Sequence, residues 1–268
     1  MKMSDQASPA PNETSAVWLQ RHRSHDVPWL LQRWQDLARN CPGLTGGALL
    51  KKVGDFEVPY FRHSPAPDRP HLYVSAGIHG DEPAATLGLL WWAEESLLDC
   101  PCAVTLLPCL NPWGLSQNSR YDASGTDLNR FFDDPRQPLI GAWDRFVDRE
   151  RYDVTLCLHE DYDAVGAYCY ELPGSDPGVA ASIFADGWGD LPLDLRPEID
   201  GMDAHGGVIS PRRNLPTTEL PEALRLFGRH TPLSLTFETP SEFGLYERAK
   251  AQRDFIRGVI QHLSGKSA

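Results

Sequence analysis

Apolar residues in the amino-terminal half of the chain follow two patterns, helical spacing and short continuous runs. Residues 27–38 place apolar side chains at helical spacing, and Pro42-Gly43 predicts the end of that helix. Residues 47–62 are typical of a hairpin with Gly54 in its turn. The next run, residues 72–74, predicts a buried strand that leads into a loop rich in small residues.

Strands and helices continue to alternate towards the carboxyl end. Residues 83–98 are strongly apolar and include Trp91 and Trp92, which predicts a helix buried on most sides. Further strands are predicted over residues 103–110, 152–158, 166–170 and 233–238, and further helices over residues 140–149 and 246–263. This alternation is typical of α/β folds, whose ligands bind beyond the carboxyl ends of the strands. We therefore predict a mixed, mostly parallel twisted sheet flanked by helices, an α/β/α sandwich.

Three stretches lack such a pattern. Residues 1–16 have no apolar core, so we expect a disordered amino-terminal tail ahead of a single domain over residues 17–268. Residues 111–132 form a long polar segment, and loops of this length in a compact domain are usually functional or disordered. Residues 173–221 are rich in Gly, Pro and Asp. We predict loops around a site there rather than a linker, because the last core strand follows this stretch.

Composition limits the classes of partner. The formal net charge of −12 over 268 residues disfavours nucleic acid and anionic membranes as main partners. No apolar run is long enough to span a bilayer, and the amino terminus does not resemble a secretory signal, which favours a cytoplasmic protein. The six cysteines lack the paired spacing of a zinc site, so we interpret them as reduced, buried thiols. Nothing in these patterns specifies an oligomeric state.

The loop after the strand at residues 72–74 contains the first candidate chemistry. His79 and Glu82 lie three positions apart, so an imidazole and a carboxylate can approach one metal ion from the same side. Gly77 and Gly80 allow sharp backbone turns beside them. Zinc accepts nitrogen and oxygen ligands, and catalytic zinc sites use three protein ligands. His159 is the best third ligand because it also follows an apolar strand, although a histidine in that place is often structural.

Glu238 lies at the end of the last predicted core strand. A carboxylate in that position needs either a charged partner or a chemical role. A structural ion pair with an arginine is one interpretation. The other is a general base that accepts a proton from attacking water and passes it to the leaving amine.

Taken together, these motifs resemble the zinc metallocarboxypeptidase family. The matching features occur in the family's order and approximate spacing from about residue 47 to the carboxyl end. The loop sequence HGDEPA also resembles the corresponding loop of bacterial murein peptide amidases and of the succinylglutamate desuccinylase/aspartoacylase branch. The motifs are His79-x-x-Glu82, the NPWG segment from Asn111, the segment from Arg120 to Arg130 with its Asp127-Leu-Asn-Arg ending, His159 after a strand, and Glu238 in T-F-E.

The resemblance implies a role for each matching residue. Zinc, one ion per chain, is expected on His79, Glu82 and His159, with Asp127 accepting the free ring N–H of His79. Arg120 corresponds to the arginine that stabilises the oxyanion, and Glu238 to the general base and acid. Asn129 and Arg130 correspond to the pair that binds the terminal carboxylate of the substrate. For each arginine, pairing with a surface carboxylate is the alternative.

The chain also departs from the family. Residues 212–235 contain no tyrosine, whereas the family has a mobile tyrosine before its catalytic glutamate. His205, Arg212 and Arg213 are possible substitutes, but surface positions are the favoured interpretation for them. Three acidic residues that follow His159 could meet an amine on the substrate, and a solvated acidic loop is the preferred interpretation. They are Glu160, Asp161 and Asp163.

The leading hypothesis is a zinc-dependent hydrolase that cleaves a peptide or amide bond next to a carboxylate-bearing residue. Small peptides, murein fragments and acylated amino acids are the substrates considered. An N-acyl amino acid deacylase of the desuccinylase/aspartoacylase type is the alternative. That branch has an additional β domain after the catalytic glutamate, and here residues 239–268 are mostly one predicted helix, which favours the first hypothesis. A non-catalytic, zinc-stabilised binding protein is the third possibility.

Overall fold

The structure is a computed structural model that describes residues 14–173, 178–186, 188–189, 191–211 and 215–265. Residues 1–13 of the predicted tail lie outside the described residues, and helix α1 begins at Ser15, within that predicted tail. Trp18 of α1 is fully buried against Ala84, Leu87 and Trp91. The described part of the chain is therefore packed from its first helix onwards.

The helices match the predicted helices wherever the sequence showed a helical period. Their bounds are α1 Ser15–Arg21, α2 Val27–Asn40, α3 Pro83–Ser96, α4 Pro112–Gln117, α5 Pro138–Val147, α6 Val179–Ala185, α7 Glu222–Leu226 and α8 Leu245–Gly265. Proline at the first or second position of α2, α3, α4 and α5 suits helix starts, where the missing N–H leaves no bond unmade. Within the described ranges, no helix combines the length and apolarity that crossing a membrane requires.

Ten strands form one sheet across the described residues. Their bounds are β1 Thr45–Val53, β2 Phe56–His63, β3 His71–Ala76, β4 Ala103–Leu107, β5 Val154–Asp161, β6 Tyr168–Leu172, β7 Glu198–Ile199, β8 Met202–His205, β9 Val208–Ile209 and β10 Ser234–Pro240. The order across the sheet is β1-β2-β4-β3-β5-β10-β6-β9-β8-β7. The central strands β4, β3, β5 and β10 are parallel, while β2 and β6 join them antiparallel on either side. The mixed sheet is confirmed, with its parallel pairing mainly in the centre.

Helices cover both faces of the sheet. Leu72 and Val74 of β3 belong to a core with residues of α2, α3 and α8, whereas Tyr73 packs with residues of α5 and α7. Alternate residues of a strand point to opposite faces, so a continuous apolar run is what a strand covered on both sides requires. The predicted α/β/α arrangement is thus confirmed.

Residues between β6 and β10 showed no regular pattern in the sequence, and the structure nevertheless contains α6 and strands β7, β8 and β9 there. Strands of two to four residues are too short to show a period of two, which explains why they were not predicted. His159 and Glu238 lie two residues before the ends of β5 and β10 rather than at the ends, because both strands extend farther than their apolar runs.

Helices α3 and α8 pack unusually closely on one face of the sheet. A Cβ atom built on Gly88 of α3 would lie 2.4 Å from the Gln252 Cβ and 2.7 Å from the Ala249 carbonyl oxygen of α8. The carbonyl is backbone and cannot rotate away. Glycine at position 88 therefore sets the distance between the two helices.

Replacement of Gly88 by alanine should lower the free energy of unfolding by about 1–3 kcal/mol, because the added methyl group forces the helices apart. Gly265→Ala is the matched control. It adds the same methyl group to α8 at a position with no atom within 4 Å, and helix propensity makes it neutral or slightly stabilising. Chemical denaturation of both variants checks the difference, and equal stabilities would contradict it.

Candidate metal centre

The sheet brings the three predicted metal ligands and Glu238 to one edge. Strands β3 and β5 are parallel neighbours, with Ala76 opposite Leu158, so the loop after β3 leaves the sheet beside the end of β5. Strand β10 lies on the other side of β5, and its Glu238 is opposite His159. Register therefore explains why residues about 160 positions apart along the chain meet.

The backbone fixes the loop that contains His79 and Glu82. Gly77 has φ +65°, a left-handed conformation that favours glycine. Gly80 donates its N–H to the Ser119 carbonyl at 2.9 Å. A Cβ on Gly80 would lie 1.9 Å from the Gly114 carbonyl carbon, so no larger residue fits. The loop is consequently held against α4 at the start of the long polar segment.

His79, Glu82 and His159 converge on one point. His79 Nδ1 lies 2.6 Å from Glu82 Oε1, and His159 Nδ1 lies 2.9 Å from Glu82 Oε2. Candidate ligand atoms from all three side chains lie within 4.8 Å of one another. The residues are 3%, 2% and 4% exposed, respectively. Within the described ranges, no other group of three such residues comes together in this way.

This donor set fits a metal ion. Two imidazole nitrogens and one carboxylate are the ligands found in several catalytic zinc sites. Burial of a carboxylate between two histidines is costly unless their charges are compensated, either by protons or by a cation. The residues present can therefore hold a divalent cation. Each protonated imidazole needs to lose only one proton to become the neutral ligand that a metal requires.

The electrostatics of the triad follow from its burial and its pairing. Burial lowers the pKa of His79, but the charges and hydrogen bonds of Glu82 and Asp127 outweigh it and raise that pKa to about 9. Burial similarly acts to raise the pKa of Glu82, yet His79 and His159 hold it well below its usual range. Without a metal ion, the triad is thus stabilised by shared protons.

Asp127 and Arg120 form the next layer around His79. Asp127 Oδ1 lies 3.1 Å from His79 Nε2, the nitrogen that faces away from Glu82. Arg120 donates from Nε and Nη2 to Asp127 Oδ2 at 3.0 and 2.9 Å. Its Nη1 lies 3.8 Å from Glu82 Oε1. The carboxylate of Asp127 therefore fixes both the His79 ring and the direction of the arginine fork.

A cavity of about 1450 Å³ opens over the triad. It is lined by seven of the predicted site residues, His79, Glu82, His159, Arg120, Asn129, Arg130 and Glu238. Burial raises the pKa of Glu238 to about 8, with Glu82 and Asp161 adding to the effect and His159 opposing it. No described residue forms an ion pair with Glu238. The structural ion pair considered for it from sequence is therefore absent from the described part of the chain.

Asn129 and Arg130 occupy a single turn of 3₁₀ helix, Leu128–Arg130, at the cavity wall. The Glu222 N–H donates to Asn129 Oδ1 at 3.0 Å, and the Asn129 NH₂ group has no acceptor among the residues that the structure describes. Arg130 is exposed and donates only to the neighbouring carbonyl of Asn129, at 3.2 Å. Among the described residues no carboxylate pairs with Arg130, so its guanidinium is available to a ligand.

Sequence reasoning missed several residues of the cavity wall. Tyr168 lies opposite Glu238 on β6 and donates its hydroxyl to Asp161 at 2.9 Å, and Tyr170 donates to Asp200 at 2.7 Å. Both tyrosines line the cavity. Only the antiparallel pairing of β6 with β10 brings them there, and sequence gives no signal for that pairing. His205 is exposed in the wall, and Arg212 and Arg213 lie outside the described residues.

The predicted solvated acidic loop is wrong for Glu160. Its side chain is 3% exposed, accepts the Ala84 N–H at 2.6 Å and pairs with Arg248. Asp163 is exposed as expected, whereas Asp161 is half-buried and bonded to Tyr168. The error arose because β5 continues through Asp161 and therefore takes Glu160 into the interior.

Comparisons with known proteins agree with this site. A sequence profile of the succinylglutamate desuccinylase/aspartoacylase catalytic domain matches residues 68–159, the stretch from β3 to His159. A comparison with curated protein sequences finds no match.

Solved structures share the fold at low sequence identity. A protein from Shewanella baltica OS155, provisionally named a metallopeptidase, is 24% identical with a TM-score of 0.76, covering 89% of this chain and 93% of its own. A metallo-carboxypeptidase from Pseudomonas aeruginosa, in complex with (2-guanidinoethylmercapto)succinic acid, is 17% identical with a TM-score of 0.58, covering 94% and 69%. A succinylglutamate desuccinylase/aspartoacylase from Rhodobacter sphaeroides is 18% identical with a TM-score of 0.57, covering 83% and 65%.

The profile match places the β3 loop and β5, which contain the triad, in the part of the chain that resembles a hydrolase family at the level of sequence. The neighbouring structures extend that likeness, as fold, over most of the chain. The resemblance indicated by the motifs is thus confirmed: the chain has the metallocarboxypeptidase-like fold, and its residues 68–159 match the succinylglutamate desuccinylase/aspartoacylase catalytic domain.

Proposed function

We propose that the protein is a zinc-dependent hydrolase that cleaves a peptide or amide bond next to a carboxylate-bearing residue, with residues 17–268 as its catalytic domain. One observation supports this most directly. The buried His79-Glu82-His159 triad lies at a cavity that also contains a carboxyl group, Glu238, and an arginine, Arg130. Neither of these two side chains has an oppositely charged partner among the described residues. A structural metal site does not require an open cavity or these two groups.

His79, Glu82 and His159 are the residues that hold the ion. Zinc bound there supplies Lewis acidity, since it polarises a carbonyl and lowers the pKa of water towards about 7. Asp127 keeps the His79 ring in the orientation that directs Nδ1 at the site. The two ligand segments are already in place in the structure, so little reorganisation accompanies binding.

Glu238 acts as the general base and then as the general acid. It is half-buried, adjacent to His159 in the sheet and open to the cavity. Burial raises the pKa of Glu238 to about 8 in the metal-free site. The ionised carboxylate, which is favoured when a cation occupies the adjacent triad, can accept a proton from water near neutral pH and return it to a leaving amine. Such a group contributes typically about 10²–10⁴ in rate.

Arg120 stabilises the negative charge that develops on the carbonyl oxygen. Its Nε and Nη2 are used by Asp127, whereas Nη1 lies beside the triad, 3.3 Å from His79 Nδ1 and 3.8 Å from Glu82 Oε1. A donor fixed by a second interaction needs no reorganisation during the reaction, and removal of one oxyanion donor typically costs about 10²–10³ in rate.

Asn129 and Arg130 bind the carboxylate of the substrate. The Asn129 amide presents its NH₂ group, and Arg130 offers a planar fork that matches a carboxylate in geometry. Substrates of this site are therefore small acidic molecules, such as a peptide with a free carboxyl terminus or a murein fragment.

An N-acyl amino acid deacylase is the second candidate, and the profile match over residues 68–159 favours it. It requires the same triad, general base and carboxylate site, so the metal centre alone does not distinguish the two reactions. The distinction is whether the acyl side of the bond is a peptide or a small acid. Hydrolysis of a panel of peptides and N-acyl amino acids, measured by release of the free amine, separates them. A non-catalytic zinc protein would cleave neither.

Zinc affinity should increase at least tenfold per pH unit from pH 7 towards pH 9, because the metal displaces a proton from His79, whose pKa is about 9 in the metal-free protein. Burial acts to lower the pKa of His159, but Glu82 raises it overall, so a proton displaced there steepens the dependence. The raised pKa of His79 stabilises the metal-free fold fully below pH ~6.5, and that contribution disappears as the pH rises through about 9. Chelator competition across this pH range measures the affinity. His205→Ala should keep the slope, His159→Ala should abolish tight binding, and a flat pH profile would contradict the assignment.

Glu238→Gln should bind zinc as tightly as the wild type and lose about 10²–10⁴ in kcat, because the amide cannot accept the proton. Glu219→Gln is the matched control, since Glu219 is an exposed carboxylate of the same cavity wall and should remain active. Metal analysis together with steady-state kinetics checks both variants. Activity of Glu238→Gln close to that of the wild type would remove Glu238 from the mechanism.

Arg130→Met should raise KM for substrates with a free carboxylate by about 10–100-fold, the loss expected for one charge-assisted hydrogen bond. The same variant should treat carboxamide-blocked substrates much as the wild type does. Arg136→Met serves as the control because Arg136 is exposed and already paired with Asp134 at 2.7 Å. If blocking the carboxylate has no effect on the wild type, Arg130 does not bind it.

A further inference from the structure

Glu160 is a buried carboxylate that the proposed reaction does not use. One of its oxygens accepts the Ala84 N–H at 2.6 Å, and the other pairs with Arg248 of α8. Ala84 is the second residue of α3, two positions after Glu82. The first N–H groups of a helix lack partners within the helix, and a carboxylate is favoured there. Glu160 therefore connects the end of β5 to the segment that presents Glu82.

A second hydrogen bond joins the same two segments, this time from the backbone of Glu160 to the side chain of Glu82. The Glu160 N–H donates to Glu82 Oε2 at 3.1 Å, the same oxygen that lies 2.9 Å from His159 Nδ1. Backbone and side chain of one residue thus link the two chain segments on which the triad depends. Displacement of Glu160 would change the distance between Glu82 and His159 directly.

Helix α8 contacts the end of β5 and the neighbouring end of β10 through two side chains. Arg248 neutralises Glu160, and Gln252, one turn later, donates to the His159 carbonyl at 2.7 Å and to Thr239 Oγ1 at 3.0 Å. Gln252 is fully buried, and the Arg248 side chain is 13% exposed. The close packing of α8 on α3 at Gly88 gives these side chains little room to shift.

We propose that Glu160, Arg248 and Gln252 are positioning residues for the metal centre: together they fix the Glu82 carboxylate against His159, so that helix α8 sets the affinity for the ion. This inference rests on the proposed function, because it requires the triad to bind a metal. Residues that orient metal ligands typically change affinity by about 10–100-fold when mutated.

The test measures Zn²⁺ affinity of the full chain by chelator competition, with thermal unfolding of each metal-free protein as a check of folding. Glu160→Gln keeps the shape and an oxygen for the Ala84 N–H but loses the charge that pairs with Arg248. Arg248→Met keeps the apolar stem and loses the other charge. Arg257→Met is the matched control, since Arg257 also joins α8 to α3, through Glu95 at 2.6 Å, at the opposite end of α3 from Glu82.

We expect Glu160→Gln and Arg248→Met to bind Zn²⁺ about 10–100-fold more weakly than the wild type, while Arg257→Met binds normally. The visible spectrum of the Co²⁺-loaded variants should also change, because it reports ligand geometry. If Glu160→Gln does not fold, Arg248→Met decides the question. Wild-type affinity in both variants, or an equal loss in Arg257→Met, overturns the positioning role. Absence of Zn²⁺ binding by the wild type would instead refute the proposed function.

Discussion

A buried carboxylate between two imidazoles is the interaction on which the rest of this structure depends. Glu82 is 2% exposed and contacts His79 on one side and His159 on the other. Removal of such a group from water costs several kcal/mol, and only opposite charge at close range offsets that cost. Protons on the histidines serve this purpose in the metal-free chain, and a cation takes their place when bound. The buried site is therefore stable only when the negative charge of Glu82 is balanced by positive charge, either on the histidines or on a cation.

The parallel strands bring the residues of that site together, and few other elements are needed. Because β3, β5 and β10 are adjacent and run in one direction, three chain segments leave the sheet at the same edge. Glu238 then faces the cavity beside His159 without a loop of its own. Helices α3 and α8 pack against these strands, and Glu160 of β5 is bonded to Ala84 of α3 and to Arg248 of α8. Rigid elements hold the groups that must be placed accurately, and the polar segment from Asn111 contains Arg120, Asn129 and Arg130, to which the proposed function assigns contacts with the substrate.

Sequence alone was sufficient to predict the central strands and the long helices, but not the short strands between β6 and β10. Apolar runs and helical periods identified the central strands and the long helices, since burial on both faces leaves an unmistakable composition at β3, β5 and β10. Residue spacing together with family resemblance indicated the residues of the triad. Glu160 was misassigned because a buried ion pair formed over 88 positions with Arg248 leaves no local trace. The strands β7 to β9 were missed for a different reason, because two to four residues are too few to show an alternating pattern.

This division between predictable and unpredictable parts bears on substrate choice. In the proposed reaction, the triad, Asp127 and Arg120 lie on segments that hydrolases of peptides and of acyl amino acids can share. Under that proposal they determine how a bond is broken rather than which bond. The opposite wall of the cavity comes from Tyr168 and Tyr170 of β6 and from residues within 200–211 and 215–219, which include Asp200. That wall is irregular in sequence and free of the constraints that a buried sheet imposes. For the proposed hydrolase, selectivity between the two classes of substrate therefore depends on the part of the chain with the weakest pattern, where loops can vary without disturbing the triad.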